Sequence, residues 1–172
     1  LEFLAIPVVS FWNAMVARRV MLEAKIRILG PSAAAEISEH LKKHAPHLSA
    51  KGQAAVLGSV SACILSTAQL HPNLEFLFRM VRRQLAVPEG AILDGTNLFL
   101  ESLKELNDDE RRIALKVLVL SSIIDGKLAS REKALLVRAH ELCGMTIDIR
   151  QVKKLGKKFR NGELLVHEEF SA

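Results

Sequence analysis

Asp125 and Glu132 are the residues whose placement most readily suggests chemistry. The run Asp125-Gly126-Lys127-Leu128-Ala129-Ser130-Arg131-Glu132 joins two apolar helical patterns through a turn that lets the two carboxylates face one another. Facing carboxylates can take a divalent cation or a cationic partner. The same residues also serve structure: Gly126 admits positive φ, Leu128 can plug the core, and Ser130 and Glu132 suit the positive end of the next helix. The structural role is preferred, with cation or partner contact as the alternative. The register speaks against an EF-hand. With Glu132 as last ligand, the first and third positions fall on Ser121 and Ile123, and isoleucine offers no oxygen.

Two other groups of residues have a chemical rationale. Glu36, His40 and His44 recur every four residues on one helix face, a spacing at which two imidazoles can share a metal ion. The motif is not HExxH, Lys42 and Lys43 sit beside it, and a solvated polar face is preferred over a metal-dependent enzyme. On the last helical pattern, Arg150, Lys153, Lys154, Lys157 and Lys158 share one side, opposite Ile149, Val152, Leu155 and Phe159. That face could meet the phosphates of anionic lipid or nucleic acid, although an ordinary solvated surface is preferred. With no Tyr and a single Trp, base stacking has little to work with, so nucleic acid is the less favoured partner. No nucleophile elbow, Walker loop or dinucleotide glycine pattern occurs, so no enzymatic activity is expected.

The elements that position these residues follow from composition and periodicity. The 172 residues are 49% hydrophobic and 25% charged, with only nine Gly and five Pro, which fits one all-α globular domain. A formal charge of +5 is a mild lean toward anionic surfaces. Cys63 and Cys143 each sit in an apolar helical pattern, so two reduced packing thiols are expected. No signal peptide is legible. The charge-free runs Phe3 to Ala17 and Gly52 to Leu74 read as core, because the first is short for a span and the second carries Gln, His and Pro.

Pro7 and Gly30-Pro31 predict a helix from Pro7 to Leu29, apolar on two stripes and therefore central in the fold. A separate helix from Ser32 to His44 follows. Ser49 caps a deeply buried helix to Leu70, with Ala54, Gly58 and Ala62 letting a neighbour approach, and Asn73 caps the next, to Ala86. After turns at Pro88-Glu89-Gly90 and Asp94-Gly95, helices are expected over Thr96 to Leu106, Asp108 to Ile124, Arg131 to Cys143 and Ile149 to Arg160. Asn107 with Glu110 forms a capping box, Ser130 and Asp148 are N-caps, and Gly144 and Gly162 are stops. A shift of about 57 residues lays the helix pair around Asn73 on the pair around Ser130, a weak internal repeat.

Residues 107–160 resemble the TerB-like helical domain, a bacterial module first linked to tellurite resistance. The resemblance rests on Asn107-Asp108-Asp109-Glu110-Arg111, the apolar run Ile113 to Ile124, and Asp125-Gly126-Lys127-Leu128-Ala129-Ser130 with Glu132. Leu135-Leu136, Ala139 and Leu142-Cys143-Gly144 complete it, while Ile124 replaces the alanine that such domains usually place before the Asp. It implies helical hairpins in the C-terminal half, a cytoplasmic or membrane-tethered setting, a role in stress-response assemblies, and in some members metal ions near the acidic residues.

The expectations are therefore a single all-α bundle of seven to eight helices, with N-terminal helices over 1–48, a TerB-like core over 49–162 and a tail over 163–172. Function is expected to be protein interaction without catalysis or a resident cofactor, a divalent cation at Asp125 and Glu132 being the one candidate. The expected setting is cytoplasmic, with membrane association through sequence upstream of Leu1 as the alternative.

Overall fold

Capped starts and i, i+3, i+4 apolar spacing decide where this chain turns and which faces it buries. The computed structural model describes residues 2–67, 70–85 and 95–163, with the backbone alone over 2–8. Among the described residues there are seven α-helices and no strand. They are α1 (Glu2–His44), α2 (Ala50–Ser66), α3 (Pro72–Gln84), α4 (Thr96–Lys104), α5 (Asp108–Ser121), α6 (Ser130–Leu142) and α7 (Ile149–Asn161), with one 3-10 turn at Ala45–His47. A continuous core runs from Ile26 of α1 to Phe159 of α7. The turn at Pro88-Glu89-Gly90 and Asp94, and the tail from residue 164, lie outside the described residues.

α2 forms the middle of the bundle, packing on α5, α4 and α3, while α1 lies along α3 and also meets α7. Every residue from Ala55 to Cys63 is buried, as expected for this helix, and Gly58 lets the Phe99 ring approach. Ala54 is exposed, so the close-approach positions are Gly52 and Gly58 instead of the expected four-residue series. The helix ends at Ser66, short of Leu70. α2–α3, of 17 and 13 residues, and α5–α6, of 14 and 13 residues, are each a helix followed by a short break and a second helix.

The N-terminal reading is corrected in three respects. Gly30-Pro31 does not stop a helix: α1 continues through it to His44, so the expected separate helix from Ser32 is the second half of the same rod. Only one face of that half is buried, through Ile26, Gly30, Ala33, Ala34, Ile37, Ser38 and Leu41. That stripe favours a continuous helix despite the N–H that Pro31 lacks. Gly30 is instead a point of close approach, because a Cβ there would strike the Asn73 side chain. Finally, the first half of α1 is not central. Val9, Phe11, Trp12, Met15, Val16, Val20, Met21, Leu22 and Ile28 are all exposed, between 44% and 74%.

Caps explain the remaining boundaries. Asn107 and Glu110 form the expected reciprocal box at the start of α5, and Glu110 also reaches a second helix by accepting from the backbone N–H of Ser49 at 2.7 Å. That bond draws the Glu110 carboxyl below its ordinary range. Replacing Glu110 with alanine removes acceptors at two helix starts, so a loss of about 1–3 kcal/mol is expected in urea unfolding. A change under about 0.5 kcal/mol would show that water replaces both bonds. α3 is capped by His71, with Pro72 in its first turn, and not by Asn73, which lies inside the helix. α6 is preceded by Ala129, not Ser130. Alanine has no side-chain acceptor, so the return bond from Ala129 N–H to Glu132 is the only half of a capping box formed there.

Candidate functional site

The turn between α5 and α6 is built as the spacing implies. Gly126 has φ 77°, the left-handed region that glycine adopts without strain, and Leu128 packs against the core. Asp125 Oδ1 accepts from the Lys127 N–H at 2.8 Å, an Asx-type bond that closes the turn. Three other elements grip it. Ile26 of α1 lies where a Cβ on Gly126 would be, Arg160 of α7 donates Nη1–H to the Gly126 carbonyl at 2.8 Å, and Asn73 of α3 reaches the Ile124 carbonyl at 2.9 Å.

Asn73 makes a second bond at 2.9 Å, to the Ile26 carbonyl. This one buried amide therefore ties α1, α3 and the turn together. Nearby, His71 accepts from the Asn73 N–H through Nδ1, so Nε2 carries the hydrogen that it donates to Glu23 at 3.2 Å. Glu23 is also held by Arg27 at 3.0 Å, the pair that chiefly lowers its carboxyl.

Glu132 is almost completely enclosed, with 1% of its surface exposed. Oε2 accepts from Ala129 N–H at 2.8 Å, and Oε1 is buried without a hydrogen-bond partner. Burial pushes the carboxyl up to about 7, against the pull of the Ala129 N–H, and the Asp125 charge adds to the rise. Asp125 is raised as well, again by burial first. Cys63 lies behind them. Burial, then the Glu132 and Asp125 charges, hold its thiol well above the ordinary value, and Sγ–H points at the Leu118 carbonyl at 3.7 Å. The arrangement is inward-facing: its carboxylates hold backbone N–H groups and act on a buried thiol.

Comparison with protein-family models, curated proteins and solved structures gives no match. The site must therefore be read from its own geometry. Among the described residues no three His, Cys, Asp or Glu side chains converge so as to hold a metal ion. His40 and His44 do touch, Nε2 to Nε2 at 3.1 Å with ring centres 4.9 Å apart. Burial and then the His44 charge depress His40. Glu36 lines a small cleft beside Phe159 and Gly162, whereas His44 lines a separate groove with His47 and Asp108, so the three residues do not surround one point.

On α7, Val152, Leu155 and Phe159 are buried while Arg150, Lys153, Lys154 and Lys157 are exposed, the two-faced helix that the spacing implies. Lys158 is half-buried. Asp148 caps the helix and Gly162, at φ 92°, ends it. A cavity of about 310 Å³ lies between α5 and α7, floored by Leu115, Val119, Ile147 and Leu155. Sequence reasoning missed Asn73, Gly30 and His71. Each acts across a long chain separation, and only the small size of Gly30 hinted at a close neighbour.

Proposed function

We propose that the chain is a non-catalytic helical interaction module of the TerB-like kind, docking into a stress-response or membrane-associated assembly. The observation that carries this reading is the first half of α1, a helical stretch with eight large apolar side chains in solvent, Val9, Phe11, Trp12, Met15, Val16, Val20, Met21 and Leu22. Monomeric proteins rarely leave contiguous apolar surface of that kind uncovered, and where they do it marks an interaction site. The turn supports the TerB-like part of the reading: Asp125-Gly126 with positive φ, a hydrophobic plug two residues later and Glu132 folded back on its helix start. Those carboxylates position the α5–α6 hairpin, and α1 offers the contact.

Size-exclusion of cell extracts tests the reading. The wild-type chain should run in an assembly far larger than its own 19.0 kDa. The variant Phe11→Ser, Trp12→Ser, Met15→Ser, Val16→Ser should run as the free chain, with an unchanged melting temperature, because these exposed side chains contribute little to the core. A wild-type chain already running free would sink the proposal.

A further inference from the structure

We infer that the first half of α1 inserts into the headgroup and acyl boundary of an anionic lipid bilayer. The inference rests on the docking role proposed for α1 and names its partner. Within the charge-free run, at 100° per residue, Val9, Phe11, Trp12, Met15 and Val16 share one arc of about 160° and are all exposed, with Ser10, Asn13, Ala14 and Ala17 on the opposite side. A helix with one such face lies in the plane of a bilayer interface with its apolar side toward the acyl chains.

Charge agrees with that placement. No ionisable residue occurs from Phe3 to Ala17, and Arg18 and Arg19 follow immediately, then Lys25 and Arg27. The one acid among them, Glu23, is already held by Arg27 and His71. Cations next to an apolar segment extend their charged ends to lipid phosphates while their stems stay in the apolar layer. Among the described residues no helix is long and apolar enough to cross a membrane. Insertion into one leaflet is the form of contact that fits.

Trp12 is the only tryptophan, so its emission reports on this segment alone. The full chain should be titrated with vesicles of phosphatidylcholine, with and without phosphatidylglycerol. The anionic vesicles should shift Trp12 emission to shorter wavelength and sediment the protein, with binding at least tenfold weaker on neutral vesicles. Brominated acyl chains should quench Trp12. Arg18→Glu with Arg19→Glu should weaken anionic binding about tenfold or more, since each basic residue near the surface adds roughly 1 kcal/mol. Phe11→Ser with Met15→Ser should abolish the shift while the circular dichroism stays helical. The inference is overturned by a failure to bind anionic vesicles, or by a Trp12 shift that grows with protein concentration in the absence of lipid, which would indicate self-association. It is equally overturned if binding survives the Arg18 and Arg19 reversal but is lost on reversing Lys153, Lys154 and Lys157 to Glu, which would place the contact on α7. Absence of vesicle binding alongside a large assembly in extracts would leave the docking role standing with a protein partner.

Discussion

Replacing Glu132 with glutamine is expected to stabilise the protein by about 3 kcal/mol at pH 8 and to leave it unchanged near pH 4. The wild-type carboxyl sits at about 7 in the fold against 4.5 for an unperturbed glutamate. The folded state therefore prefers the protonated form. Below the unfolded value both states are protonated and Glu132 costs nothing. As pH rises from about 4.5 through 7 the unfolded chain releases its proton first, and native stability falls across that window. Glutamine keeps an acceptor for the Ala129 N–H and carries no charge. Thermal melts of both proteins from pH 4 to 8 check this, and parallel curves would show that the enclosed carboxylate is solvated by some other means. Glu110 works in the opposite sense. Its lowered carboxyl stabilises the fold above its unfolded value, and that contribution disappears as pH falls through the depressed one. Acid should loosen the α2–α5 end of the bundle while it relieves the α5–α6 turn.

Asn73→Ala is expected to cost about 4 kcal/mol, among the largest effects of any single polar substitution here. It leaves the carbonyls of Ile26 and Ile124 without their partner in the core, and each such loss is worth about 1–3 kcal/mol. The space beneath Gly30 also opens. Gly30→Ala should be harmful in the wild-type chain, where the new methyl meets Asn73, and much less harmful beside Asn73→Ala. Urea unfolding of the four proteins measures that coupling. Strictly additive losses would mean that the amide and the glycine do not share one contact.

The elements from α4 onward were legible in the sequence because their signals are local. Asn107 with Glu110, Gly126, Asp148 and Gly162 each act within about one helical turn, and the structure uses all of them as their types imply. The N-terminal half was misread for the converse reason. Pro31 breaks a helix only when nothing beyond it holds the two halves in line, and here the buried stripe from Ile26 to Leu41 does so. Asn73 in turn looked like a cap because Asn is a favoured N-cap residue, but Pro72 occupies the first turn and His71 the cap. Its real partners are 47 and 51 residues away in the chain. At the candidate site, the sequence placed Asp125 and Glu132 at one turn but gave no sign that Glu132 would be enclosed, since enclosure depends on α2 passing behind it with Cys63. The grouping of Glu36 with His40 and His44 came from helical spacing alone, and the neighbours packed on that helix divide it between two clefts.

One uninterrupted rod of 43 residues is about 65 Å long, and among its described side chains the bundle grips it from Glu23 onward. Whatever holds the far end is thereby kept at a set stand-off from the Asp125 turn, and α1 acts as a lever arm whose fulcrum is the Ile26–Gly30–Asn73 contact. A sideways load on the free end would be delivered at that fulcrum, directly against the backbone of Gly126.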